Sequence, residues 1–308
     1  MISRRNIRVK VMQTLYAIET MENQVKPGEP MKMLQRYFDQ TRDLMVYLVY
    51  TLTEIARYAE TSARQRASKH LPTEADLTVN TKLAGNELLW RILEDPSYQL
   101  VLKTSKPELV ADKEQVKKLY LELAQTPEYK EYITAQNRDP KAEKQMLEFI
   151  FSTLMLPNED FTAHVEELFT NWDDDIEMIN LLTLNYIAKP GNFNFMEMLS
   201  KEKWSFGKDL LQTVQDKREI TLEMIKPKLK NWDSDRIAVL DMILMQMGLC
   251  EFLYFETIPP KVTINEYIDL AKEYSTPQSG QFVNGILDNI HKELLKDEKM
   301  HKVAFKKK

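Results

Sequence analysis

The chain has 308 residues, 43% apolar and 29% charged, enough for one large domain or two ordinary ones with a sizeable core. A single cysteine, Cys250, excludes an internal disulfide and any multi-cysteine metal site. Net charge is −5, and no apolar run reaches the roughly 18 residues that a membrane span requires.

Charge is unevenly spread. Residues 1–10 carry four positive charges and no negative one, and the tail 292–308 carries seven lysines against three acids. Between Leu156 and Asn180 there are eight acids and no Lys or Arg. Such asymmetry points to an anion-binding surface held apart from an acidic body. Seven glycines, sixteen methionines and abundant Leu, Glu, Lys and Gln favour helix over strand, so an all-α chain is expected. Lys10, Gln13 and Glu19 interrupt what would otherwise be a signal-peptide core, which makes the expected location cytoplasmic.

In chain order, Ser3 is a fair N-cap for a first helix reaching about Glu22. At 100° per residue, Ile7, Val11, Leu15 and Ile18 fall on one inward face. Arg4, Arg5, Arg8 and Tyr16 occupy the neighbouring arc, at the expected edge between core and solvent. Guanidiniums grip phosphates bidentately and a tyrosine ring can stack on an unpaired base, so this stripe is a candidate RNA contact. Residues 23–30 read as a loop, and a long amphipathic helix over about 31–70 buries Leu44, Leu48, Leu52 and Ile55. Further helices are expected over 75–94, 112–125 and 140–155, separated by Pro96, Pro107, Pro127 and Pro140.

An internal echo follows. Asn171-Trp-Asp-Asp-Asp175 and Asn231-Trp-Asp-Ser-Asp235 each precede an apolar helical run, as an Asn or Asp cap with a packed Trp would. The acidic run 173–177 also resembles the aspartate-rich helices of isoprenoid synthases, but it lacks a second such motif, so no metal is expected. Helices then span 205–227 and 231–254. The second carries Ile237, Val239, Leu240, Ile243, Leu244, Met247 and Leu249 around its circumference and should be central. After Thr257-Ile-Pro-Pro260 come a helix over 263–274 and a last helix with Ser279 as N-cap. There Val283, Ile286, Leu287 and Ile290 point inward, while Phe282 and Asn284 stand in the first turn, with Phe282 expected to be exposed.

The final third resembles the family of the transcription antitermination factor NusB. The family signature Ile-Pro-x-Lys-Val-x-Ile-Asn-Glu, a helix with Leu-Ala-Lys, and Ser-x-x-Phe-Val-Asn-Gly-Val/Ile-Leu-Asp is matched by Ile258, Pro259, Lys261–Val262, Ile264–Glu266, Leu270–Lys272, Ser279 and Phe282–Asp288. Trp232, Arg236, Asp241 and Glu251 match an upstream helix, and Arg4-Arg5-x-x-Arg8 with Gln13-x-Leu-Tyr16 is similar to the arginine-rich first helix. Asn6, Met242, Gln246 and Gln278 depart from the residues common at those positions.

The resemblance implies a NusB-like helical bundle made of residues 1–22 and 201–297, with a large additional helical region over 23–200 and a basic tail over 298–308. It implies a non-enzymatic, cofactor-free factor. Such a factor binds boxA-like single-stranded RNA of ribosomal RNA leaders with the NusE ribosomal protein, in the transcription elongation complex. Arg4, Arg5 and Arg8 would contact phosphates, Tyr16 and Phe282 would meet bases, and Asn284 would hydrogen-bond nearby. Asp241 and Glu251 would face the protein partner. Some RNA cytosine methyltransferases carry a similar domain, but the scattered glycines and single cysteine leave no room for their catalytic part. A helical interaction scaffold with a degenerate RNA site is the other reading.

Overall fold

A computed structural model describes residues 2–21, 25–77, 79–229 and 237–303. Its described residues form helices, turns and connecting segments, with no strand among them. They divide into two compact units: residues 2–37 with 199–308, and residues 38–198.

In the 38–198 unit, the long helix α2 (Glu29–Ala67), which begins in the other unit, supplies the main apolar seam. Leu44, Leu48, Leu52 and Ile55 are fully buried, as their spacing predicts. Shorter helices follow: α3 (Glu74–Leu77), α4 (Glu87–Glu94), α5 (Pro96–Ser105), α6 (Lys113–Leu123), α7 (Pro127–Thr134), α8 (Pro140–Phe149), α9 (Glu159–Leu168) and α10 (Trp172–Ala188).

The helix expected over 75–94 is broken, with residues 79–86 outside any helix. Asn86 restarts it: its fully buried side chain accepts from the N–H groups of Leu88 and Leu89 and donates to the carbonyl of Glu143 at 2.9 Å. The prolines do more than separate. Pro96, Pro127 and Pro140 each take the first helical position, behind the caps Asp95, Thr126 and Asp139. A missing N–H costs nothing there and the fixed φ suits the helix. Helices over 96–105 and 127–134 therefore stand where proline alone suggested a gap.

The first copy of the echo opens α10, but not by side-chain capping. The Asn171 amide donates to Asp175 Oδ2 at 2.5 Å, and Thr41 Oγ1 donates to the same oxygen at 2.6 Å. Asp175 is thus a buried structural acceptor. The second copy, 231–235, lies outside the described residues, as do Trp232, Arg236 and the last lysines.

The other unit holds α1 (Arg4–Thr20), the first turns of α2, α11 (Lys201–Asp216), α12 (Arg218–Ile225), α13 (Val239–Tyr254), α14 (Pro260–Tyr274) and α15 (Ser279–Lys296). The helix expected over 205–227 is divided at Lys217. Helix α13 is central: α1, α11, α12, α14 and α15 all pack on it. Its apolar residues from Ile243 to Phe252 are buried, each contributing about 1.5–3 kcal/mol, whereas Val239 at its start is half exposed. Burial pushes the Cys250 thiol up to about 12, which keeps it a neutral core group. Gly248 lets neighbours approach: a Cβ there would lie 3.0 Å from two methyl carbons of Leu287 and 3.2 Å from the Tyr267 ring. At the far end, Lys302 donates to the main-chain carbonyls of Glu251 at 2.7 Å and Phe255 at 2.8 Å, capping α13 from the chain's last segment.

Candidate nucleic-acid interface

The first turn of α1 is fixed by Ser3, whose hydroxyl accepts from the Asn6 N–H. Ile7, Val11, Leu15 and Ile18 are buried. The arginines of the neighbouring arc then separate by register. Arg8 turns inward at 2% exposure, while Arg4 and Arg5 remain partly exposed and Tyr16 is 45% exposed.

The expectation that Arg8 lines an outer edge is therefore corrected. Its Nε donates to Glu251 Oε1 at 2.7 Å and its Nη2 to Oε2 at 3.1 Å, a bidentate pair in which Glu251 is fully buried. Nη1 donates to Glu266 Oε2 at 3.3 Å. The guanidinium carbon lies 5.4 Å from the centre of the Phe206 ring and 5.9 Å from that of Tyr267. Burial works against the charge of Arg8, but the bond to Glu251 and the surrounding anions outweigh it and drive its pKa up. Thr263 Oγ1 at 3.0 Å and Tyr267 OH at 2.8 Å donate to the same carboxylate. Burial, then the field of Glu251, pushes the Tyr267 phenol well above its ordinary range.

Glu251, expected at a partner surface, is instead the acceptor that closes this network. Asp241, expected there too, is 5% exposed and accepts from the Ser279 hydroxyl at 2.7 Å. Ser279 is consequently the first residue of α15 rather than its N-cap, and ties α15 to α13. Phe282 is buried at 9% exposure, not exposed, because the first turn of α15 packs down on its neighbours; Asn284 faces solvent.

Arg4 and Arg5 reach different helices. Arg4 Nη2 donates to Glu202 Oε1 of α11 at 3.0 Å, with its guanidinium 5.5 Å from the Phe206 ring centre. Arg5 Nη2 donates to Glu273 Oε2 of α14 at 2.7 Å, and its Nη1 lies 4.0 Å from Asp269. Glu273 stands one residue before the end of α14, which turns through 275–278 into α15. At that junction Gly280 admits the Lys272 stem, whose Cγ would lie 2.7 Å from a Cβ at position 280. Helix α14 thus joins the arginine end of α1 to the start of α15. Glu266, Tyr267, Thr263, Phe206 and Glu273 were missed by the sequence reading. A lone Glu in the apolar run of α13 was the available signal, since a buried carboxylate demands a donor.

The NusB family model matches residues 167–292. "Transcription antitermination protein NusB" of Salinibacter ruber is 39% identical over 135 residues, covering 44% of this chain and 78% of that protein. The protein of the same name from Finegoldia magna is 39% identical over 94 residues, or 30% of this chain and 69% of its own length. The match to the one from Methylacidiphilum infernorum, 45% identical over 83 residues, spans 58% of that protein and 27% of this chain. A solved structure, of T. maritima NusB, is 31% identical and covers 42% of this chain and 81% of its own, with a TM-score of 0.30 that carries no argument about the fold. On the extent and identity of the Salinibacter ruber and Finegoldia magna matches, this chain belongs to the NusB family.

Proposed function

We propose that the chain is a non-enzymatic transcription antitermination factor of the cytoplasm that binds boxA-like single-stranded RNA of ribosomal RNA leaders together with the NusE ribosomal protein. The RNA-binding unit is 2–37 with 199–308, and the 38–198 unit, which makes up most of the insertion expected over 23–200, is an addition to it. The observation that supports this most is the exposed set Arg4, Arg5 and Tyr16 on α1, linked through Glu273 and α14 to the start of α15 with its exposed Asn284. Arg8 acts from behind: by holding Glu251 it fixes the rotation of α1 that turns Arg4 and Arg5 outward.

With Arg8 withdrawn from the surface, about two to four phosphate contacts remain, giving a log–log salt slope of about −1.5 to −3 for a single strand. Charge reversal of both Arg4 and Arg5 should weaken binding of a boxA-containing leader RNA at least about tenfold, given about 1.5–3 kcal/mol for each charge-assisted bond. A gel-shift titration with and without the NusE protein, at two salt concentrations, measures this. Undiminished affinity in the double variant rules out the arginine stripe.

One observation favours the scaffold reading: each arginine of the stripe already has a carboxylate partner. On that reading the wild-type chain shows no salt-sensitive RNA shift, while it still retains the protein partner on a column.

A further inference from the structure

Arg5 carries one positive charge and faces two carboxylates. Glu273 Oε2 takes its Nη2 at 2.7 Å, and Asp269, one helical turn earlier on α14, stands 4.0 Å from its Nη1. Lys272, 3.7 Å from Asp269, offsets part of the excess. All these side chains are accessible: Arg5 is 37% exposed, Asp269 54% and Glu273 51%. The arrangement differs from that of Arg8, where burial locks the pair. Glu273 holds the Arg5 guanidinium through Nη2 alone at the surface, and a guanidinium fork of this kind is also a donor set that grips phosphate oxygens.

We propose that Glu273, assisted by Asp269, is a built-in phosphate surrogate that holds Arg5 until an RNA strand displaces it, so that α14 sets the affinity threshold and discrimination of the α1 stripe. The inference rests on the RNA-binding reading above and says how that site is regulated. A polyanion touching Arg5 alone gains little, because it exchanges one anion for another and meets the freed carboxylates. A strand that also engages Arg4, Tyr16 and the start of α15 gains contacts that offset the exchange. The acids thereby penalise non-specific RNA more than a ligand that fills the whole surface. Exposed ion pairs are weak, so the threshold is low and quickly crossed.

The test uses the full chain and two probes, a short oligouridylate without sequence information and a leader RNA containing boxA, read by fluorescence anisotropy. Glu273→Gln should bind the oligouridylate about two- to fivefold more tightly at low salt, the range spanned by exposed pairs. The gain should be smaller for the leader RNA and should fade at high salt, where screening removes the competition. In an Arg5→Ala background Glu273→Gln should give a clearly smaller gain, because a repelling charge is still removed but no arginine is left to release. A Glu273→Gln chain that binds no more tightly at low salt, or gains equally without Arg5, overturns the inference while leaving the RNA site standing, provided that Arg5→Ala itself loses affinity. If Arg5→Ala binds both probes as the wild type does, the RNA-binding reading and the inference fall together. An unchanged thermal midpoint in Glu273→Gln shows that any gain is not a folding effect.

Discussion

Arg8 and Glu251 stand 243 positions apart and define the interior of their unit more than any apolar pair does. A bare carboxylate or guanidinium in a dry core would be severely destabilising, but here Glu251 accepts from Arg8, Thr263 and Tyr267 and leaves little of its hydrogen-bonding capacity unused. Removing one partner strands the other. Glu251→Ala should cost about 3–5 kcal/mol, read from urea denaturation, whereas replacing both residues with apolar ones of similar volume should cost much less. A single substitution that costs under about 1 kcal/mol would mean that water reaches the pair. The same chemistry explains why the sequence reading misjudged three residues. Arg8, Asp241 and Glu251 are polar types that usually lie outside, and only the register of α1 against α13 reveals that their neighbours are each other and Ser279 rather than a ligand.

Among the elements, those with a long, regular apolar period were legible: α1 and α2 stand close to where periodicity puts them, and the central α13 ends at Tyr254 as expected but begins at Val239, with residues 237–238 outside any helix. What was not legible was local. Pro96 and Pro127 are expected only to separate helices, yet each opens one, and Asn86, a local N-cap for Leu88 and Leu89, is also anchored to a carbonyl of Glu143 that no window of sequence around residue 86 contains. Phe282 was misjudged because a residue off the main stripe of α15 still meets α13 or α14 when a helix has neighbours on two sides. Gly248 belongs to this scale as well. Alanine would gain about 1 kcal/mol in helix propensity, but its methyl would press on both Leu287 and Tyr267, and overpacking costs about 1–3 kcal/mol. Because Tyr267 is held by Glu251 and cannot retreat freely, Gly248→Ala should be net destabilising by about 1 kcal/mol in urea denaturation. A stabilised variant would show that Leu287 alone gives way.

At the scale of the whole molecule, the acidic run 156–180 falls in the 38–198 unit, and the arginine stripe falls in the other. The sequence reading drew its boundary at 23–200, whereas the compact units divide at 37 and 198, so the first turns of α2 belong with α1. That difference arises because a helix is continuous in sequence pattern even where its packing partners change. The family match beginning at residue 167 likewise starts before the unit does and takes in α10.

The Glu251 end of α13 has a further consequence, in time rather than in space. Its carboxylate holds residue 8 and its main-chain carbonyl holds residue 302, so two segments far apart in sequence converge on one residue. At about 5–20 residues per second of synthesis, α1 waits roughly 12–50 s after its own emergence before its partner is even made. During that interval Arg8 lacks Glu251 and α1 lacks the central α13, with α11 available to it only towards the end, while the whole of 38–198 has already been synthesised. Ribosome-arrested chains halted before α13 should therefore be cleaved readily within α1 by a protease, and chains released at full length should be resistant there. Equal protection in both would mean that α1 finds a temporary partner. The unit that carries the arginine stripe is thus completed only after 38–198 has been synthesised.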